Sequence, residues 1–289
     1  MPPNYSHTPT STVGDIQLVD FSDFRFRASS MKFLLQAFIN DYKAPALTEA
    51  QTKDFDYLAG KDKLTDLQTI KLQGFVDKIA AKKNPVFDIE PGAKTELHKI
   101  WNDTVKIRPI LTSPAVIRGI EQEDDSIDLI NLVFESKMVK NTVRFTSKYF
   151  SGELDLLTEK SILDVKTCKS WDTLTKQTVE SCTVDYYWQL WTYHQLTKKD
   201  DVYIVKTLPN YTDEFIAEKQ KYARNQEEID QIYFNHNFDR FPKTKLVRVF
   251  KIQLNDEPME IIEQLLDKYR EYLNNLNTWY LNMSPKVNF

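Results

Sequence analysis

The spacing of apolar residues changes character along this chain. Ser29 and Ser30 precede Met31, Phe33, Leu34, Leu35, Phe38 and Ile39, and short hydroxyl side chains ahead of such a helically spaced set predict a capped helix. Thr48, with Glu49 just inside, opens a second helix that Gly60 can close. Leu67, Ile70, Leu72, Phe75, Val76 and Ile79 mark a third, and Pro91-Gly92 open a fourth carrying Leu97, Ile100 and Trp101. Pro114 starts a longer helix with the stripe Val116, Ile120, Ile127, Ile130 and Phe134. The pattern then turns strand-like through NTVRFTSKYF, GELDLL and SILDVKT. A polar stretch over residues 169–180 leads into a helix over VDYYWQLWTYHQL and a strand over DVYIVKTL. Polar helices within 212–236, a strand near LVRVFKIQL and a final helix through Ile261, Leu265, Tyr269, Leu273, Leu276 and Tyr280 complete the chain.

The order αβββαβ predicts an α/β (α+β) fold: a mixed central sheet flanked by helices. A helical N-terminal layer is expected over 24–104, a core over 112–208 and additions over 209–289. No repeat, low-complexity tract or linker divides these regions, so 15–289 is expected to form one domain behind a flexible polar tail, 1–14. No apolar run approaches the ~20 residues that span a bilayer, and the N-terminus lacks a secretory pattern. A soluble, cytoplasmic protein is the expectation.

Composition narrows the function classes. The 289 residues include 38 Lys and Arg against 42 Asp and Glu, a formal charge of −4, which excludes coating of nucleic acid by bulk charge. It leaves room for a local basic rim: Lys137, Lys140, Arg144 and Lys148 run without an intervening acid, and Lys160, Lys166, Lys169 and Lys176 follow. Cys168 and Cys182 are too few for a disulfide framework, a Cys-rich zinc site or an iron–sulfur cluster. The four histidines, at 7, 98, 194 and 236, are dispersed, and no GxxxxGK[ST] phosphate loop is present.

The chemistry concentrates in the strand-like middle. A period of two places Ile162, Asp164 and Lys166 on one face of SILDVKT, with Leu163 and Val165 on the other. The plain reading of Asp164 and Lys166 is a same-face ion pair. The short connection TEKS predicts an antiparallel hairpin that brings Asp155 towards Asp164. Steps of three and four along the Pro114 helix put Glu123 on the apolar stripe, where a charge needs a cation or donor, and Gly119 one turn earlier leaves space for a close approach. A cluster of three carboxylates suits Mg²⁺, a hard cation that keeps waters and uses few protein ligands. With Lys166 beside it, the cluster describes metal-assisted phosphodiester hydrolysis.

The arrangement Glu123, Asp155, Asp164-Val165-Lys166 resembles the PD-(D/E)XK nuclease superfamily. Gln189 and Tyr193, four apart in DYYWQLWTY, are similar to the Gln-x-x-x-Tyr element of its RecB-type and phage-exonuclease branch. RASSMKFLL is similar to an N-terminal element of lambda-type and YqaJ-type exonucleases, while RGIEQEDDSIDL and YFSGELDLL resemble exonucleases of tailed phages. The likeness spans residues 24–205 in four short blocks, and GELD lacks the proline often found before the first aspartate.

The resemblance implies a restriction-endonuclease-like core in which Glu123, Asp155, Asp164 and the backbone carbonyl of Val165 hold Mg²⁺, with Mn²⁺ as a substitute. Lys166 would be the catalytic lysine and Gln189 would hold the site. Arg25, Arg27, Ser29, Ser30, Tyr193 and Lys169 are the expected DNA contacts. The implied activity is an exonuclease on duplex DNA ends in phage recombination, in the cytoplasm of a host bacterium if phage-encoded. A single-strand annealing protein is the implied partner, and a homo-oligomer follows by analogy with ring-shaped lambda-type relatives. The competing readings are a structure- or sequence-specific endonuclease and a catalytically silent DNA-binding or scaffold protein.

Overall fold

The computed structural model describes residues 9–13, 16–83, 87–105 and 114–282. In chain order the first elements are β1 (Pro9–Val13), β2 (Ile16–Val19), β3 (Phe26–Arg27), a 3-10 turn over Ala28–Ser30, and α1 (Met31–Lys43). They are followed by α2 (Glu49–Ala59), α3 (Asp66–Lys83), α4 (Pro91–Thr104), α5 (Pro114–Glu121) and α6 (Glu123–Val133). The middle holds β4 (Phe145–Thr146), β5 (Phe150–Gly152), β6 (Leu156–Leu157), β7 (Ser161–Thr167), α7 (Trp171–Thr175), α8 (Val179–Thr197) and β8 (Asp201–Thr207). The chain closes with α9 (Asp213–Gln220), α10 (Gln226–His236), a 3-10 turn over Lys243–Lys245, β9 (Val247–Lys251) and α11 (Met259–Leu281). This is the mixed helix–sheet class read from the sequence. The span 15–289, expected as one domain, comprises parts of two compact units: 1–22 with 33–105 and 259–289, and 23–32 with 106–258.

Within the first unit, β1 pairs antiparallel with β2, so residues 9–13 are strand where a flexible tail was expected. The run Thr-Ser-Thr-Val suits a strand and lies opposite Ile-Gln-Leu-Val, which gives its backbone groups ladder partners. The rest of the tail, 1–8 and 14, lies outside the described residues. Thr48 and Gln51 form a reciprocal capping box on α2, and Gly60 ends it as read. The α3 stripe is narrower than expected. Leu67, Ile70 and Val76 are exposed, and the helix packs through Leu72, Phe75 and Ile79 onto Leu47 and Leu58.

The second unit holds the strands of the expected core. GELDLL is not one strand: β5 belongs to a three-stranded sheet, β3-β5-β4, and β6 to a four-stranded sheet, β6-β7-β8-β9, with a bend at Asp155 between them. The expected single mixed sheet is thus two sheets, each mixed in direction, and each recruits a strand from outside 112–208. Alternation along β7 sorts the four-stranded sheet into two faces. Val165, Val205 and Val247 face a core with Ile127, Leu129 and Ile130 of α6. Ile162, Val202 and Ile204 face a core with Cys182, Leu190 and Tyr193 of α8.

The long Pro114 helix breaks at Gln122, whose backbone (φ −105°, ψ 16°) leaves helical geometry. Its buried side chain accepts from Arg118 and donates to the Asn210 carbonyl, tying the break to a distant loop. Ile120 is 67% exposed, so the expected stripe does not run through Glu123; the Val116 side chain lies outside the described residues. The break gives α6 its own N-terminus, and Glu123, Asp124 and Asp125 occupy a first turn where the helix dipole favours carboxylates.

One residue fastens this helix to the sheet. Fully buried Ser126 hydrogen-bonds Thr167 at the end of β7 and Thr207 at the end of β8, each at 2.9 Å. Ser126→Ala strands both threonine hydroxyls and should lower stability by about 1–3 kcal/mol in a urea melt. A loss under about 0.5 kcal/mol would show that apolar packing alone seats α6.

Candidate active site

The β6–β7 hairpin sets the site. Leu156 pairs with Leu163 and Leu157 with Ile162, and Thr158 closes the turn by bonding Ser161 through backbone and side chain. This register carries Asp155 alongside Asp164. Asp155 Oδ2 accepts the Val165 N–H at 2.6 Å. Its own backbone is fixed by Asn141, whose N–H donates to the Asp155 carbonyl at 2.7 Å and whose Nδ2 donates to the Leu154 carbonyl at 2.9 Å. The N–H and C=O of a strand residue point to one edge, so the Val165 carbonyl faces the same edge as Asp155.

Asp164 is 1% exposed on β7, on the α8 face. Its Oδ1 accepts from Gln189 Nε2 at 3.1 Å, and its Oδ2 lies 2.7 Å from Lys166 Nζ. That second contact is an ion pair, and among the described residues Oδ2 meets no other donor, so it retains acceptor capacity while buried. The plain reading of a same-face pair is therefore met, with Gln189 added. Gln189 also donates to Tyr193 Oη at 3.0 Å, and the Tyr193 hydroxyl donates to the Glu153 carbonyl at 3.1 Å. The chain of bonds returns to the segment that carries Asp155. Gly152 makes this possible: a Cβ there would lie 2.7 Å from the Tyr193 ring.

The electrostatics follow from crowding. Burial, reinforced by the Asp164 charge, pushes the Asp155 carboxyl up to about 7, against the opposing pull of Lys166 and the Val165 N–H. Desolvation works against the Lys166 ammonium, but Asp164 and Asp155 outweigh it and hold Lys166 above its ordinary value. Burial, then the Asp164 charge, raises Tyr193. Lys166 keeps 28% of its side chain exposed, which opens the charged cluster to a ligand.

Glu123 begins α6, which packs on the opposite face of the sheet from Asp164. Its Oε2 pairs with Lys140 at 2.7 Å. That bond and the charges of Glu123, Asp124 and Asp155 hold Lys140 above its ordinary value against desolvation. Among the described residues no three acid, His or Cys side chains lie grouped as a metal cage. Two of the three expected ligands, Asp155 and Asp164, thus come together, while Glu123 lies within electrostatic reach of Asp155. An all-oxygen donor set, a buried carboxylate oxygen with spare acceptor capacity and mutual repulsion between the two acids fit a hard divalent cation.

The expected DNA contacts separate by exposure. Arg25, Ser29 and Lys169 are exposed, and Arg27 is half-buried on β3 opposite Ser151. Ser30 and Tyr193 are buried, so neither offers a surface to DNA; Tyr193 braces Gln189 from within because its ring fills the space over Gly152. Local acids engage part of the basic rim: Lys140 with Glu123, Arg144 with Glu153, and Lys176 with Asp172. Asn141 and the partnering role of Lys140 escaped sequence reasoning, since single polar residues in a loop carry no period.

Among solved structures, the chain is similar to a phage-related exonuclease from Haemophilus somnus 129PT, with a TM-score of 0.58, 16% identity, and coverage of 89% of this chain and 97% of that one. The two share a fold. An alkaline exonuclease from Laribacter hongkongensis superposes at a TM-score of 0.48 with 12% identity over 90% of this chain and 92% of its own. No protein-family model and no curated protein sequence matches the chain. The exonuclease-type fold anticipated from the Glu123, Asp155, Asp164-Val165-Lys166 pattern is the fold found.

Crowding at Asp155 has a measurable consequence. Asp155→Asn keeps an acceptor for the Val165 N–H but removes a disfavoured charge. In EDTA at neutral pH it should raise Tm by about 2–4 °C, a gain on the order of 1 kcal/mol. A lowered Tm in calorimetry would contradict the repulsion.

Proposed function

We propose that the chain is a divalent-metal-dependent deoxyribonuclease that digests duplex DNA from its ends. The observation that carries this reading is the placement of Asp155, Asp164 and Lys166 on one hairpin, held by Val165 and Gln189. The fold it shares with a phage-related exonuclease supports the choice of an exonuclease. Asp155 and Asp164 would hold Mg²⁺ or Mn²⁺, with Glu123 and the Val165 carbonyl as adjacent oxygen donors. Such an ion supplies a water of lowered pKa and neutralises charge on a phosphoryl oxygen.

The residues of the chain supply the rest. Lys166, fixed against Asp164 and partly exposed, orients the attacking water and meets the charge that grows on the scissile phosphate. Gln189 keeps Asp164 in one rotamer by bonding Oδ1, which leaves Oδ2 for the site. Arg25, Arg27, Ser29 and Lys169 provide the candidate backbone contacts, which position a strand without reading its sequence. A role in phage recombination, with an annealing protein receiving the exposed strand, and a ring-shaped oligomer follow from the sequence resemblance.

Pure protein incubated with linear, nicked and circular duplexes should degrade the linear DNA in Mg²⁺, spare the closed circle and stop in EDTA. Asp164→Ala and Lys166→Ala should each slow digestion by on the order of 10²–10⁴-fold. Circles cut as fast as linear DNA would point to an endonuclease, and full activity in either variant would displace the assigned site.

A further inference from the structure

The strands β7 and β8 run parallel in register, and both end in Val-Lys-Thr: Val165, Lys166 and Thr167 lie opposite Val205, Lys206 and Thr207. The period of two puts Lys206 on the same face as Lys166, the face covered by α8. From α8 that face meets Cys182, Tyr186, Gln189 and Tyr193, spaced at one, two and three turns along a single stripe.

The two lysines differ in their company. Lys166 has Asp164. Lys206 is 6% exposed, and its hydrogen bond goes to a neutral group, the Tyr186 hydroxyl, at 2.8 Å. Among the described residues it has no carboxylate partner within ion-pair distance. Its nearest strand neighbour on the far side, Arg248, is another cation, which spends its guanidinium on the carbonyls of Leu174, Thr175 and Gln177. An ammonium kept out of water opposite a phenol is unfavourable for folding alone, because a methionine of similar length would fill the place without a charge to desolvate.

The phenol shows what the charge is for. Tyr186 Oη accepts from Lys206, so a lone pair is engaged, and among the described residues its hydrogen has no acceptor. A hydroxyl that accepts from an ammonium becomes a stronger donor. The ring centroid is 4.4 Å from Lys206 Nζ and 5.6 Å from Lys166 Nζ, so the Tyr186 ring lies beside the candidate catalytic lysine as well as Lys206. Tyr186 is half-buried and open to a ligand, while Lys206 stands behind it. The complement of a free O–H donor, held by one ammonium on a ring that a second ammonium also approaches, is an anionic oxygen acceptor.

We propose that Tyr186 binds a phosphate oxygen of the DNA strand lying beside Lys166, and that Lys206 is the positioning residue that orients and polarises its hydroxyl. The proposal rests on the nuclease reading for the identity of the ligand. It adds a substrate-binding residue and its support to the Asp155, Asp164 and Lys166 set.

The test measures binding and turnover separately. Affinity for a short duplex, with and without a 5′ phosphate, is read by fluorescence anisotropy in Ca²⁺, and digestion is read in Mg²⁺. Tyr186→Phe keeps the ring and removes the donor; it should weaken binding about ten-fold and raise KM in the same proportion, with kcat changed less. Lys206→Met should shift both in the same direction, and the double variant should be no weaker than Tyr186→Phe, because the two residues act in series. Lys206→Arg, which can still donate to the phenol, should recover part of the loss, a response that a merely structural lysine would not give. Loss on both duplexes assigns an internal phosphate, and loss confined to the phosphorylated duplex assigns the terminal one. Equal affinity of Tyr186→Phe and wild type, within two-fold, would overturn the proposal, as would a wild-type protein that binds neither duplex. Absence of digestion alongside a ten-fold binding loss would instead remove the nuclease reading and leave the phosphate site standing.

Discussion

Two carboxylates, Asp155 and Asp164, are held side by side where little water screens them, and the hairpin and the helix over it hold them there. Three of their four oxygens are met from within the chain by groups that tolerate negative charge. The Val165 N–H takes Asp155, Gln189 takes one oxygen of Asp164, and Lys166 sits by the other. Even with Lys166 present, burial and then the Asp164 charge raise the Asp155 carboxyl far from its ordinary value. A bound hard cation would offset that cost.

The surrounding structure serves to keep those two side chains from moving apart. Asn141 clamps the backbone at the bend where β5 gives way to β6, and Tyr193 closes a path from Gln189 back to Glu153 over a glycine that leaves the ring its space. On the other face Ser126 joins the ends of β7 and β8 to α6, which fixes how far Glu123, three residues earlier, stands from the bend. Rigid strands, rather than a loop, therefore carry Asp164, Lys166 and Lys206, a placement that favours precise geometry.

What the sequence disclosed was what periodicity can encode. The period of two in SILDVKT placed Asp164 with Lys166, the four-residue connection placed Asp155 near them, and the four-residue spacing in the α8 helix placed Gln189 under Tyr193. Pairings between residues far apart in the chain stayed hidden. The helix break at Gln122 depends on Asn210, a loop residue far along the chain, and the spacing that puts Glu123 on an apolar stripe cannot show it. The division of GELDLL between two sheets depends on β3 and β9, which come from either side of the expected core. Asn141 sits in a loop where no pattern marks it. Lys206 did carry a signal, the repeated Val-Lys-Thr, but its meaning needs the parallel register that brings the two copies abreast.

The claim on which the account turns is that the repulsion between Asp155 and Asp164 exists to bind a divalent cation. Crystals soaked in Mn²⁺ and measured for anomalous scattering test it most directly. The account predicts a peak in direct contact with carboxylate oxygens of both Asp155 and Asp164, with Glu123 close enough to contact the ion or its waters. A map with no peak there, Lys166 still closing on Asp164 and Lys140 on Glu123, would contradict it.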